Sequence, residues 1–143
     1  MTTATLGALP PWARELLEDE RVGHLGLLDD GGRPRVLPVT YAVHEQALWT
    51  AVDNKPKSSD GELARVRWLR QAPSAALTVD RYSDEWSGLR WVQLLGKVSI
   101  VDGAPTGAVL DALSRRYPQY RQDPPPGPLL KLLPERALWW RAA

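Results

Sequence analysis

The amino-acid sequence predicts a mainly β, α+β fold, arranged as a six- or seven-stranded antiparallel barrel with a few short covering helices. Hairpin signals dominate the chain, beginning with the DDGGRP turn, whose Asp-Gly and Gly-Gly pairs supply the positive φ angles that hairpins need. The predicted element order β-β-β-α-β-β-α-β lacks the regular βαβ alternation of a doubly wound sheet. A chain of 143 residues with 43% hydrophobic residues can bury one core, so a single domain is expected over residues 1–143.

The composition argues against several classes of function. The chain has no cysteine, which excludes disulfides and cysteine-ligated metals and is typical of a cytoplasmic protein. The formal net charge of +1 provides no global field that would attract nucleic acid or an anionic membrane. The longest apolar runs are too short to span a bilayer, and the first residues lack the pattern of a secretion signal.

The first half of the chain predicts one helix and three strands. Two prolines begin a short amphipathic helix that ends at about Glu18, and the apolar stretch from Arg21 to Leu28 follows as a strand. The next strand runs from about Arg35 to His44 and pairs across a tight Glu45-Gln46 turn with the strand of ALWTAVD. Pro38 cannot donate a backbone hydrogen bond, which predicts an edge strand or a bulge at this position.

The second half predicts two more helices and three more strands. Ser59 and Glu62 form a capping-box pattern at the start of a helix. In the long fifth strand the even-numbered apolar residues face the core, and Gly96 marks a bend. The proline-rich PQYRQDPPPGP is expected to be irregular. The predicted elements are a helix from near Asp60 to Arg70, strands over Ala75–Tyr82 and Leu89–Val101, a helix over Thr106–Tyr117 and a final strand at ALWWRA.

The familiar motifs of catalysis are missing from the sequence. No glycine-rich nucleotide fingerprint follows a strand, and there is no P-loop. His24 and His44 lie in predicted strands without metal-ligand spacing, so each is interpreted as a structural or exposed residue. No serine has an elbow motif or a plausible His/Asp set. The sequence therefore predicts no metal site, and its catalytic residues are unknown.

A cationic loop is the strongest candidate for binding chemistry. Lys55 and Lys57 flank a proline directly after the third strand, and the next predicted helix begins just beyond. A helix N-terminus presents free N–H groups and a partial positive charge, which attract anions. Arg65 and Arg67 follow within two turns. An anion-binding rim and a solvated basic loop are equally compatible with this pattern.

The seven tryptophans are the second unusual feature. Trp86 lies in a predicted loop, and Trp91 lies on the non-core face of the long strand. Exposed tryptophans could stack on a planar ring or pack against a second subunit, and packing is the simpler interpretation. The remaining tryptophans considered are expected in the core or at an interface, namely Trp49, Trp68, Trp139 and Trp140.

The ordered set of motifs resembles one known family, the pyridoxamine 5'-phosphate oxidase-like split β-barrel enzymes that bind flavins and deazaflavins. The resemblance runs from about Leu16 to Arg141 and rests on the strand–DDGGRP–strand opening, on TAVDNKPK, and on RWLRQAPSAAL in place of the common RNLxxNPxVAL. Trp68 and Ala72 depart from the usual asparagines. VDRYSDEWSGLRWVQLLGKVSIV and RRYPQYRQDPP resemble a narrower branch, the actinobacterial enzymes classed as dependent on coenzyme F420, the 8-hydroxy-5-deazaflavin.

This resemblance implies an FMN-binding split β-barrel that forms a homodimer with cofactor sites at the interface. It implies that Lys55 and Lys57 bind the cofactor's phosphate, with Arg65 or Arg67 as helpers. Trp86, Arg90 and Trp91 are expected to line the acceptor pocket. The residues expected to contact the ring or ribityl chain, partly through their backbone, are Pro38, Val39, Thr40, Tyr41, Thr50, Ala51, Val52 and Asp53.

The implied activity is transfer of a hydride from the reduced deazaflavin to a small electron-poor organic acceptor. Such chemistry needs little from side chains; solvent or the Tyr41 hydroxyl is a candidate proton donor. Three alternatives stay open: an FMN-binding oxidase or flavin reductase with the same fold, a non-catalytic cofactor-binding protein, and a nucleic-acid-binding barrel. The net charge of +1 argues against the last, so neither nucleic acid nor a membrane is an expected partner.

Overall fold

The computed structural model describes residues 2–3, 6–52 and 63–143 of the chain. Within those residues, eight strands form one sheet, and four α-helices accompany it. The strands are β1 (Thr2–Thr3), β2 (Gly23–Leu28), β3 (Pro34–Val39), β4 (Ala42–His44), β5 (Ala47–Ala51), β6 (Ser74–Arg81), β7 (Arg90–Val101) and β8 (Leu129–Arg141). The helices are α1 (Pro11–Asp19), α2 (Ala64–Gln71), α3 (Gly107–Arg116) and α4 (Gln119–Gln122).

The sheet curves until its two ends meet. Its strand order is β3-β2-β6-β7-β8-β5-β4, with β1 paired to β8 beside this path, and all the pairings are antiparallel. β3 and β4 are consecutive in the chain but occupy opposite ends of this order. Residues 40–41 alone connect them, and so short a link spans roughly 11 Å. This antiparallel sheet with short helices confirms the predicted fold class.

Two apolar clusters lie on the two faces of the curved sheet. The interior cluster is formed by inward residues of the strands together with α1 and α2, and the outer cluster lies between β4, β5, α3 and α4. On β5, Leu48 belongs to the interior cluster, whereas Ala47, Trp49 and Ala51 belong to the outer cluster. Because strand side chains alternate, β5 is buried on both faces.

The predicted strand from Arg35 to His44 is wrong as a single element, because it divides into β3 and β4. Pro38 lies on β3, an edge of the strand order, as its missing N–H predicted. The hairpin predicted across Glu45 and Gln46 is present, but only as the short β4–β5 pair. Its turn residues Glu45 and Gln46 have φ angles of 51° and 64°, the left-handed conformation of a two-residue hairpin turn.

In the long strand β7, the residues that face the core are the ones that the sequence predicted. Val92, Leu94 and Val98 are buried, whereas Lys97 is exposed. Gly96 lies at a β-bulge against β8, and a Cβ there would come within 2.0 Å of the Leu133 carbonyl oxygen. Glycine is therefore required at this position because two backbones approach closely.

Three other boundaries differ from their predictions. α2 begins at Ala64, with Leu63 at its N-cap, rather than near Asp60; the proposed capping box of Ser59 and Glu62 lies outside the described residues. The proline-rich segment contains the short helix α4, which follows Pro118 because proline is tolerated at a helix start. The final strand, β8, begins eight residues before ALWWRA, because its pairing with β7 continues on both sides of Pro134.

No helix in the described ranges combines the length and the apolar character needed to cross a membrane.

The turn between β2 and β3 is organised by a buried carboxylate, Asp29. Its Oδ1 accepts hydrogen bonds from the backbone N–H groups of Gly31 (2.9 Å) and Arg33 (3.0 Å). The guanidinium groups of Arg33 and Arg35 lie 3.5 and 3.6 Å from Oδ2. The Arg33 N–H bond, more than the opposing desolvation, holds the pKa of Asp29 below its ordinary value.

A depressed carboxyl pKa makes stability depend on pH in a defined direction. Above the unfolded-state pKa of about 4 the full contribution of Asp29 is present, and it is lost as the pH falls through the lower folded-state pKa. We expect Asp29→Asn to lower the denaturation midpoint at pH 7 and the difference from the wild type to shrink below pH 4. Denaturant titrations at several pH values measure this difference. Asp30→Asn, which removes an exposed carboxylate from the same turn, is the matched control; an equal pH effect in that variant would contradict the assignment to Asp29.

Candidate functional site

Parts of the predicted cofactor-binding segments lie beside the β4–β5 hairpin. Ala42 lies opposite Trp49 in that ladder. In the antiparallel register, residues 40–41 therefore extend beyond the hairpin next to residues 50–51. Pro38 is exposed, Thr40 is half-buried and Val39 is buried. Residues 40–41 and 50–51 thus lie at neighbouring ends of β4 and β5, whereas Pro38 and Val39 pair with β2. Contact of these segments with a cofactor stays a prediction.

Tyr41 is a structural residue rather than a surface group. Its side chain is fully buried, and its hydroxyl hydrogen-bonds to the carbonyl oxygens of Leu17 (2.6 Å) and Glu20 (3.1 Å). Burial raises its pKa well above the ordinary value of 10.0. Because this buried hydroxyl donates to backbone carbonyls in the protein interior, the interpretation of Tyr41 as a proton donor is corrected: the residue anchors the chain between β3 and β4.

Arg116 holds that anchor in place from the end of α3. Its Nε donates to the Tyr41 carbonyl at 2.6 Å, and its two terminal nitrogens donate to the carbonyls of Glu18 and Glu20 at 2.5 Å each. Its guanidinium also lies 4.6 Å from the centre of the Tyr41 ring. One cation therefore joins α3, the end of α1 and the link between the two ends of the sheet.

Two neighbouring tyrosines complete this arrangement. The Tyr117 hydroxyl accepts from the Tyr41 N–H at 3.0 Å and donates to the Arg21 carbonyl at 2.8 Å. The Thr40 hydroxyl lies 2.8 Å from the hydroxyl of Tyr120. We call Arg116, Tyr117 and Tyr120 the RRYPQY anchor. Its role was not predicted; the only signal in the sequence was the RRYPQYRQDPP motif, which was read as a family resemblance.

The other predicted segment, at the end of β5, contains an unpartnered polar group. Thr50 is 3% exposed, and its hydroxyl has no hydrogen-bond partner. Ala51 and Val52 are also buried. The indole N–H of Trp68 on α2 is the second buried side-chain group without a partner among the described residues. Buried polar groups without partners are rare and are often explained by an ion or ligand.

The structure describes only some of the predicted phosphate-binding residues. Lys55 and Lys57 lie outside the described residues, as does Asp53 of the predicted ring-contacting segment, so their roles stay predictions. Arg65 is half-buried and Arg67 is exposed on α2, whose first turn has no acidic residue. The positive end of this helix is therefore not neutralised by its own side chains.

The structure does not bring the three predicted acceptor-pocket residues into one pocket. Trp86 lies in a short 3-10 turn with 72% of its surface exposed. Arg90 and Trp91 are adjacent on β7 and point to opposite faces. The Arg90 guanidinium approaches Trp12 on α1, whereas Trp91 lies opposite Trp140 on β8. Arg90 and Trp91 therefore cannot line a single cavity of one chain side by side.

The two histidines occupy exposed or peripheral positions. His24 lies 3.9 Å from Asp80 on the outer face of the sheet, and His44 lies 3.4 Å from Glu45 at the hairpin turn. Among the described residues there is no group of three or more His, Asp or Glu side chains that could hold a metal ion.

Removal of Arg116 tests whether the RRYPQY anchor holds residues 39–42 in place. We expect Arg116→Ala to reduce the free energy of unfolding by about 3 kcal/mol, because three carbonyl groups, two of them in part-buried bonds, lose a charged donor. Hydrogen exchange of the amides at residues 39–42 should accelerate more than that of amides in β7. Arg115→Ala removes an exposed charge from the same helix turn and should have little effect. Equal stability of the two variants would contradict the anchoring role.

Comparisons with known proteins identify the family to which the fold belongs. The family model described as pyridoxamine 5'-phosphate oxidase matches residues 9–141. No curated protein shows a significant match.

Solved structures show the same fold in proteins of diverse description. A Clostridium acetobutylicum protein of the pyridoxinephosphate oxidase family, related to general stress protein 26, has a TM-score of 0.61 at 18% identity, covering 91% of this chain and 86% of its own. A FAD-binding protein of Mesorhizobium loti has a TM-score of 0.64 at 20% identity, with coverages of 100% and 98%. HutZ, the heme storage protein of Vibrio cholerae, has a TM-score of 0.68 at 16% identity, with coverages of 93% and 94%.

At these identities the structural likeness shows the fold alone, whereas the family model spans nearly the whole chain. The chain belongs to the pyridoxamine 5'-phosphate oxidase family, with its split-barrel fold.

Proposed function

We propose that this protein binds coenzyme F420 and catalyses hydride transfer from its reduced form to a small electron-poor organic acceptor. The family membership supports a cofactor-binding site, and the resemblance of DRYSDEWSGLRW and RRYPQYRQDPP to the deazaflavin-dependent branch supports the choice of cofactor. The observation that carries the site is the unpartnered Thr50 hydroxyl, together with the Trp68 N–H. These two groups flank residues 53–62, the segment that contains the cationic loop.

The described residues fit a planar, phosphate-bearing cofactor in their chemistry. Thr50 and Trp68 offer hydrogen-bonding groups that the protein leaves unused. Arg65 and Arg67 carry positive charge on a helix without acidic residues in its first turn. Pro38 exposes an apolar surface on an edge strand beside the link to β4.

Each part of the chain has a defined task in the proposed reaction. The chemistry that the cofactor supplies is hydride transfer from C5 of the reduced deazaflavin. Lys55 and Lys57, with Arg65 or Arg67, would hold the phosphate by charge. Residues 38–41 and 50–52 would orient the ring, and the RRYPQY anchor keeps the first of these segments rigid. Since Tyr41 is committed to the interior, solvent remains the candidate proton source.

The proposal includes a homodimer. The outer face of the sheet exposes apolar side chains that a single chain leaves uncovered, among them Val36 at 67% and Trp140 at 45% exposure. Trp91 lies next to Trp140 on this face. A second copy covering the face would bury them and would explain why the predicted pocket residues do not converge within one chain. A cytoplasmic location is part of the same proposal and rests on the lack of cysteines.

An FMN-dependent activity is the second candidate. It is favoured by the FAD-binding description of the Mesorhizobium loti structure, because a flavin site on this fold is thereby documented in a structural neighbour. The HutZ description supports a non-catalytic, binding role on the same fold. Deazaflavin and flavin cofactors both carry a phosphate, so phosphate recognition does not distinguish these candidates. Binding of the two ring systems must therefore be compared directly.

Titration with each oxidised cofactor separates the candidates. We expect the deazaflavin to quench tryptophan fluorescence with a Kd in the micromolar range and FMN to bind more weakly. Lys57→Ala should weaken deazaflavin binding at least tenfold through loss of a charged contact, whereas Lys97→Ala, an exposed lysine on β7, should not. Tight binding of FMN without binding of the deazaflavin would overturn the proposed cofactor.

Thr50→Val tests whether the unpartnered hydroxyl belongs to the cofactor site. Because that hydroxyl has no partner among the described residues, its removal should leave the free energy of unfolding unchanged or raise it by up to about 1 kcal/mol. The same change should weaken cofactor binding roughly five- to tenfold through loss of one hydrogen bond. Thr78→Val is the matched control, since the Thr78 hydroxyl already accepts from Gln93 at 3.0 Å.

The control variant should show the reverse pattern, with lower stability and unchanged cofactor affinity. If Thr50→Val binds the cofactor as tightly as the wild type, the hydroxyl is not part of the site.

A further inference from the structure

Two arginines that lack an acidic partner among the described residues lie close to one tryptophan, at the place where β7 begins and β8 ends. Arg90 begins β7 and Arg141 ends β8, and the two residues lie directly opposite each other in the ladder. Their guanidinium carbons lie 6.0 and 5.3 Å from the centre of the Trp12 ring. The indole attracts each cation through its negatively polarised face, which draws the two groups to one spot.

The positive charges of Arg90 and Arg141 repel each other, and a bound anion would offset this repulsion. Two cations directly opposite each other in an antiparallel ladder repel. Neither Arg90 nor Arg141 forms an ion pair with a carboxylate of the described residues. The nearby acidic pair Asp19 and Glu20 is engaged elsewhere, at 3.8 and 2.9 Å from the guanidinium of Arg81. The only hydrogen bond from the Arg90 side chain to the described residues goes to the Gly88 carbonyl at 3.3 Å.

The start of α1 adds positive potential to the same place. Trp12 is the second residue of this nine-residue helix, and helical side chains lean toward the N-terminus. The first turn contains no acidic residue, and Pro10 at the N-cap offers no side-chain cap. The N–H groups of Ala13 and Arg14 bond to the Pro10 carbonyl, so what this end of α1 adds is the partial positive charge of the helix dipole, with no acidic residue of its own first turn to offset it.

We propose that Trp12, Arg90 and Arg141 form a binding site for an oxyanion, a carboxylate or phosphate group. Two guanidinium groups offer the forked donors that match such oxygens, and the exposed Arg141 leaves the site open to solvent. Thr50 pairs with Leu130 near the start of β8, whereas Arg141 is the last residue of that strand, so this site is separate from the proposed cofactor site. Its ligand class is a small molecule bearing a carboxylate or phosphate group.

Anion titration of the cofactor-free full-length protein tests the site. Inorganic phosphate and acetate are added separately at constant ionic strength, and the Nε–H resonances of Arg90 and Arg141 and the indole N–H resonance of Trp12 are followed by NMR. We expect saturable shifts of these three signals. Tighter phosphate indicates a phosphate ester as the natural ligand, and tighter acetate indicates a carboxylate; both outcomes support the site.

The variants separate specific binding from general charge. Arg141→Gln should weaken anion binding at least tenfold while leaving the unfolding midpoint unchanged, because Arg141 is exposed at the end of its strand. Arg136→Gln removes an exposed arginine from the same strand away from Trp12 and should bind as the wild type. Shifts that do not saturate, or an equal loss in both variants, would overturn the site.

Cofactor titration of the Arg141→Gln variant separates this site from the cofactor's phosphate site. The Kd of the deazaflavin should stay within about twofold of the wild type, whereas a tenfold weaker Kd would show that Arg141 belongs to the cofactor site and would overturn the separate site. Because the anion titration uses cofactor-free protein, a failure to bind either cofactor leaves its result unchanged. The failure of this inference and the failure of the proposed function are therefore distinguishable.

Discussion

The contact on which the rest of the structure depends is the Arg116 guanidinium against the carbonyls of Tyr41, Glu18 and Glu20. A helix leaves its last carbonyls without internal partners and carries partial negative charge there, so a cation at the end of α1 stabilises that end directly. The same cation holds the two-residue link between β3 and β4. The hydroxyl groups of Tyr41, Tyr117 and Tyr120 add neutral hydrogen bonds to the same link, and Arg116 supplies its only charged donor among the described residues.

This contact also explains what could and could not be predicted from the sequence. The facing of β7, the edge position of Pro38 and the bulge at Gly96 follow from local rules on alternation and on missing donors or side chains. The break at Thr40 and Tyr41 does not, because both residues favour strands. The chain turns there because the Tyr41 ring enters the core beneath a residue that is 75 positions away in the sequence.

The candidate site shows the same division between local and distant causes. Residues 38–41 and 50–52 were expected to share a site; the hairpin register, which pairs Ala42 with Trp49, directs residue 41 toward Thr50, and the shared site stays a prediction. The unpartnered Thr50 hydroxyl depends on which face of β5 points inward, and the pairing of Arg90 with Arg141 depends on the register of two long strands. Neither can be read from spacing along the chain. The lysines of the cationic loop stay a prediction from sequence, outside the described residues.

Two separate anion sites are proposed for this protein. The cofactor's phosphate is proposed to bind at the cationic loop and α2, and a second oxyanion is proposed to bind at Trp12, Arg90 and Arg141. The most direct test of the central claim is a crystal structure of the protein with oxidised coenzyme F420. The account predicts the cofactor's phosphate within hydrogen-bonding distance of Lys55 or Lys57 and its ring against residues 38–41 and the Thr50 hydroxyl. A cofactor bound elsewhere, with the Thr50 hydroxyl still unpartnered, would contradict it.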